Sequence, residues 1–163
     1  MRSEMKLTEF VKAFCERPFG SLLPPFHCAE NVDGVAKYIL FREPPFQVEL
    51  ITFWPGGFAV PEHRHPNVDT IQVLLSGDLR FMVDGKTAPW KALDDRLVCK
   101  PGFEILKRTV AIRANQSHSA ESQRTGATWL SFENWVGTEE IHTTVEDWDG
   151  QAFGPKHYHL IKK

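Results

Sequence analysis

The stretch that decides the fold runs Gly57-Phe58-Ala59-Val60-Pro61-Glu62-His63-Arg64-His65, followed by Thr70-Ile71-Gln72-Val73-Leu74-Leu75-Ser76-Gly77. His63 and His65 stand two apart, so on a strand both imidazoles point to one face. One strand can thereby offer two nitrogen ligands to a single metal ion, while Arg64 between them faces away. In the second half Thr70, Gln72 and Leu74 share one strand face, and Asp69, Ile71, Val73 and Leu75 share the other. By that parity Thr70 and Gln72 look inward and Asp69 does not.

Outward from this stretch the texture is short β-type runs punctuated by turn residues. Strands are expected at 34–41, 46–52, 70–75, 79–83, 96–100, 109–113 and 127–133, with a last one at 156–161. Pro55-Gly56-Gly57, Asp84-Gly85, Pro101-Gly102 and Gly126 mark the turns, and Asp84-Gly85 is a hairpin signal. Ahead of them Leu7, Phe10, Val11 and Phe14 have helical spacing, with Ser3 or Thr8 available as a cap. Pro18 and Gly20 end that helix, and 21–31 reads as a connector. About eight strands behind one helix predict an all-β sandwich or barrel.

Composition narrows the partners. Lys plus Arg is 19 and Asp plus Glu is 21, a net charge of −2 that argues against a broad nucleic-acid-binding face. No apolar run approaches the ~20 residues that span a bilayer, so no membrane partner is expected. The charged start Met1-Arg2-Ser3-Glu4-Met5-Lys6 is followed by no signal-like apolar run, which favours the cytoplasm. Cys15, Cys28 and Cys99 are an odd set without C-x-x-C spacing, giving neither a disulfide framework nor a thiolate zinc site. Cys99, in Arg96-Leu97-Val98-Cys99, reads as a small buried hydrophobe.

The segment 57–65 has the form G-x5-H-x-H, and Gly77 follows His65 by twelve residues. This resembles the first motif of the cupin superfamily, G-x5-H-x-H-x(3,4)-E-x6-G. The second motif, P-x-G-x2-H-x3-N, is resembled by Arg113-Ala114-Asn115-Gln116-Ser117-His118. There Asn115 fills the glycine slot, and Arg113 and Ser122 depart from the proline and asparagine. Asn is the non-glycine residue best suited to a left-handed backbone. The resemblance covers about residues 46–135. It implies a single-domain jelly-roll barrel (a double-stranded β-helix) with a short N-terminal α-helix, residues 1–33 being helix and connector and 34–163 the barrel.

It also implies a divalent metal ion on His63, His65 and His118. The glutamate slot of the first motif falls on Thr70, with Asp69 beside it. The favoured sphere is three histidines without a carboxylate, as in cupins that resemble the thiol dioxygenases; Asp69, at a strand start, can alternatively turn inward and complete it. Three neutral imidazoles leave the ion its +2 charge and about three open positions, suited to O2 and a small polar or anionic chelating substrate. Fe(II) is the favoured ion, with Ni, Zn, Mn and Cu also suited to such ligands. The function implied is a mononuclear non-haem dioxygenase or oxygenase, with Gln72 supporting the ligands or orienting the substrate. The alternatives are a non-enzymatic small-molecule-binding cupin and a metal-dependent isomerase or lyase, whose proton-transfer group would come from Asp69, Glu133 or a fourth histidine. Aromatic-rich strands and an open sheet edge favour a homodimer. His157 and His159 form a second H-x-H and read as part of a half-exposed terminal strand.

Overall fold

The computed structural model describes residues 6–16, 27–32, 34–43, 45–136, 145–146 and 157–160. Its backbone is organised by two long antiparallel strands, β5 (Val68–Val83) and β8 (His118–Trp135). They pair from Val68↔Trp135 to Val83↔His118, with irregularities near Leu74–Ser76 and Gly77–Leu79. At that crossing Gly77 pairs with Ala127, and Gly77 and Gly126 have φ of +82° and +71°. A Cβ on Gly77 would lie 2.2 Å from the Gly126 carbonyl oxygen, and one on Gly126 2.3 Å from that of Phe53. Only glycine fits there, and the bend sends each strand from one sheet into a second.

The remaining strands are β1 (His27–Val32), β2 (Val35–Glu43), β3 (Phe46–Phe53), β4 (Ala59–Arg64), β6 (Lys86–Ala88), β7 (Thr109–Ile112), β9 (Val145–Glu146) and β10 (His157–Leu160). The first sheet runs β1-β2-β3, then the far half of β8, the first half of β5, and β7. The second runs β10-β4, the first half of β8, the last part of β5, and β6. Two packed antiparallel sheets sharing bent strands make a jelly-roll barrel.

Both faces of the first sheet are covered, and period-two alternation sorts the side chains. Phe46, Val48, Ile71, Val73, Leu130 and Phe132 point outward, where α1 (Leu7–Glu16) lies over them with Phe10, Val11 and Phe14. The Phe10 ring stacks on Phe46 at 4.2 Å, and Phe14 meets Phe132 edge-on at 5.2 Å. Burying each of these side chains stabilises by about 1.5–3 kcal/mol. Ile51, Phe53, Leu74, Leu79, Phe81 and Trp129 fill the interior. Among the described residues no helix is long and apolar enough to cross a membrane.

The sequence reading needs correction in several places. The strand expected at 96–100 is a turn and a 3-10 helix, Leu97–Cys99. The Asp94 carboxylate accepts hydrogen bonds from the Arg96 and Leu97 N–H groups, which curls the chain against its β propensity. The Arg96 bond leads in holding that carboxyl below the usual aspartate range. Cys99 is accordingly exposed rather than buried. The connector read at 21–31 contains β1, which extends the first sheet. The strand read at 127–133 extends back to His118, and those read at 70–75 and 79–83 are one continuous strand. Glu9 Oε2, accepting from the Lys6 N–H, caps α1 in place of Thr8, and Ser3 lies outside the described residues. Of Phe41, Phe46, Phe53, Trp54 and Phe58, the aromatic residues on and around β3, Trp54 alone stands exposed, at 56%.

Two measurements follow. Gly126→Ala should lose at least about 3 kcal/mol by urea unfolding, because left-handed strain adds to a backbone clash. Gly85→Ala has a similar φ of +75° but open space, and should lose only about 1 kcal/mol. Burial pushes the Cys15 thiol up to about 11, so at pH 8 it stays protonated and unreactive. Iodoacetamide should label the exposed Cys99 well before Cys15, as read by peptide mass spectrometry.

Candidate metal centre

β4 carries His63 and leads directly to His65, while His118 opens β8 and pairs with His63. All three imidazoles are buried, and each offers a ring nitrogen within 4.8 Å of the others. His63 Nδ1 lies 2.7 Å from the Pro61 carbonyl oxygen, and His118 Nδ1 lies 3.0 Å from that of Gln116. A carbonyl only accepts, so both Nδ1 atoms carry a proton, and in the neutral ring that leaves each Nε2 with its lone pair for a metal. His63 Nε2 and His65 Nε2 are 3.1 Å apart. Outer bonds of this kind fix the tautomer and ring orientation that metal ligation requires, so the donor set fits a divalent ion.

The turn ahead of His118 is tied down from three directions. Asn115 has φ +69°, the left-handed backbone expected of its slot, and its N–H donates to the His65 carbonyl. Asp69 Oδ1 accepts from the Ala114 N–H at 2.7 Å. Asp84 accepts from Gln116 Nε2 at 2.8 Å and from the Ser117 N–H at 3.3 Å. Asp69 therefore binds the turn that presents His118, and among the described residues the group close enough to share an ion is the three histidines.

Thr70 and Gln72 point into the barrel and are buried. Trp129 Nε1–H donates to Gln72 Oε1 at 3.0 Å, which fixes that atom as the acceptor. Gln72 Nε2 then donates to Thr70 Oγ1 and to Ser131 Oγ, both at 3.1 Å. Ser131 Oγ donates onward to Glu133 Oε1 at 3.3 Å, and Gln47 Nε2 donates to Glu133 Oε2 at 3.1 Å and Glu49 Oε1 at 3.0 Å. The amide of Gln72 is thus held by protein groups on every side.

The sequence reading missed Gln47, Glu49 and Ser131 as members of this wall and named Glu133 only as one proton-transfer candidate. The signal was present. On β3 the outward Phe46 and Val48 are apolar, so the alternating Gln47 and Glu49 had to face either solvent or a polar interior. Backbone pairing of β10 with β4 sets His159 opposite Arg64 and Leu160 opposite His63. His142, which stands beside Thr143 and Thr144 and reads from the sequence as structural, lies outside the described residues.

No protein-family model matches the chain, and no curated protein does. Solved structures do. KdgF from Halomonas sp. is 13% identical, with 71% of this chain and 93% of that one covered at a TM-score of 0.54. A conserved double-stranded β-helix protein from Klebsiella pneumoniae is 14% identical, with coverages of 83% and 91% and a TM-score of 0.52. The cupin domain of Schizosaccharomyces pombe Cnp3 is 12% identical, with coverages of 69% and 77% and a TM-score of 0.51. Likenesses at this level of identity carry the architecture and not the chemistry, and the architecture they show is the double-stranded β-helix fold of cupin proteins.

Proposed function

We propose that the chain is a divalent-metal enzyme of the mononuclear non-haem type, with His63, His65 and His118 as ligands and a small polar molecule as substrate. The observation that carries this reading is the convergence of three buried imidazoles, two of them oriented by backbone carbonyls. A divalent ion bound there supplies Lewis acidity and, where it is Fe(II), the redox capacity for oxygenase chemistry. The chain's own residues do the rest. The imidazoles leave part of the coordination sphere open, Asp69 and Asp84 hold the turn that sets His118, and the interior around Phe81, Leu79 and Trp129 excludes water. Gln72 keeps the opposite wall rigid and in register, a positioning role.

A second reading, a metal-dependent isomerase or lyase, is favoured by one observation. Glu49 and Glu133 are carboxylates buried in the same interior, at 3% and 1% exposure, and either is chemically able to accept a substrate proton. Association as a homodimer is proposed on β1, which among the described residues ends its sheet with one neighbour.

Protein purified without a histidine tag should hold about one divalent ion per chain by elemental analysis. His63→Ala and His118→Ala should each weaken metal affinity more than about 100-fold, beyond the range for losing an outer partner. Both should retain the wild-type circular dichroism spectrum; unchanged metal content would refute the assignment. Asp69→Asn should change affinity less than about threefold, since an amide oxygen can still accept from Ala114. Fe(II)-loaded protein should take up O2 slowly alone and faster with a member of a thiol, catechol and keto-acid panel. Binding without stimulated uptake would shift the assignment to the non-enzymatic binding and isomerase readings. Light scattering across a wide concentration range tests the dimer.

A further inference from the structure

His118 takes its ring direction from the turn just ahead of it, where the Gln116 carbonyl receives its Nδ1–H at 3.0 Å. The two halves of that turn are held by different means. The first half is fixed by the Asp69 carboxylate on the Ala114 N–H and by the Asn115 N–H on the His65 carbonyl. The carbonyl that matters belongs to the next peptide unit, between Gln116 and Ser117. A peptide unit is planar, so a bond made at its N–H also sets where its C=O points. The N–H of this unit is that of Ser117, and it donates to Asp84 Oδ1 at 3.3 Å.

The Gln116 side chain grips the same unit from its other side. The Arg113 N–H donates to Gln116 Oε1 at 2.8 Å, which settles the amide, and Nε2 then donates to Asp84 Oδ2 at 2.8 Å. The Asp84 N–H closes the ring of bonds by donating to the Ser117 carbonyl at 2.9 Å. Asp84 is exposed, at the head of the Asp84-Gly85 hairpin that joins β5 to β6, and Val83 before it pairs with His118. Its φ of +49° is a conformation that glycine adopts freely and aspartate only tolerates. What aspartate adds there is a pair of acceptor oxygens, and both receive donors from the turn of His118.

Resting on the metal reading above, we propose that Gln116 is a positioning residue of the centre. Clamped between Arg113 and Asp84, it aims its own carbonyl at His118 Nδ1, so a solvent-exposed hairpin on other strands sets the metal affinity of a buried ligand. A turned peptide would take the acceptor away from Nδ1, and the imidazole would lose both its fixed tautomer and its fixed ring plane.

The test uses the full chain titrated with Co(II), whose visible spectrum reports occupancy and ligand geometry together. Asp84→Asn leaves one acceptor oxygen for two donors, and Gln116→Glu sets a carboxylate against that of Asp84. Each should shift the Co(II) absorption bands and weaken binding about tenfold, the lower end of the range for losing a group that orients a ligand. Gln116→Ala, which brings no new charge, should weaken binding by a similar factor. Combining Asp84→Asn with Gln116→Glu swaps amide and carboxylate. Position 84 then accepts from Ser117 and donates to position 116, which still accepts from Arg113. The double variant should return to within about threefold of the wild-type affinity and recover its spectrum, a coupling that a general loss of stability does not produce. Single variants that lower the urea midpoint of the metal-free protein yet keep wild-type Co(II) affinity overturn this inference and leave the metal reading standing. A double variant that binds no better than the single ones does the same. A wild-type chain that takes up no Co(II) overturns both.

Discussion

Everything in this molecule hangs on the antiparallel pairing of β5 with β8 along their whole lengths. Because both strands pass from one sheet to the other, their register sets the first sheet, the second sheet and the distance between them. The Gly77–Gly126 crossing lets the pair bend without losing alternation, so inward residues remain inward on both sides of the bend. His118 at one end of β8 and Glu133 near the other are therefore components of a single rigid rule.

The interior this rule produces is chemically divided. Leu79, Phe81, Phe53 and Trp129 make a dry half, and Thr70, Gln72, Ser131, Gln47 and the two glutamates make a hydrogen-bonded half. Burying so many polar groups is tolerable because each bond has a settled direction, from the Trp129 indole through Gln72 and Ser131 to Glu133. A wall ordered in this way presents fixed acceptors and does not reorganise when a ligand enters. The outer face, covered by α1 and its phenylalanines, is correspondingly free of any such constraint and is built for packing alone.

Much of this was legible in the sequence because it rests on local rules. H-x-H parity brought His63 and His65 to one face, the Asp84-Gly85 pair marked a hairpin, and Asn115 in a glycine slot announced its positive φ. Helical spacing of Phe10, Val11 and Phe14 gave the face that α1 buries. What stayed hidden depends on partners distant in sequence. The run at 96–100 looks like a strand until Asp94 takes the Arg96 and Leu97 amides. Glu133 is an ordinary strand residue until register sets it beside Thr70, 63 positions away in the chain. β1 was obscured because its short run adjoins a proline-rich segment, and only pairing with β2 defines it.

The same two-strand rule partitions the chain by how much change in length each part can absorb. Inserting or deleting one residue within β5 or β8 reverses the facing of every position between the change and the strand end. Histidines, glutamates and core aromatics would then be traded for solvent-side residues at one stroke. The stretch from Pro89 to Arg108 carries no named strand; apart from the bridge of Lys91 to Thr109, it meets the barrel through a few apolar side chains such as Leu93, Leu97 and Leu106. Descent with altered loop length is open to that stretch and closed to the two strands. Relatives of this chain would thus diverge in outline while their inner walls stay superposable.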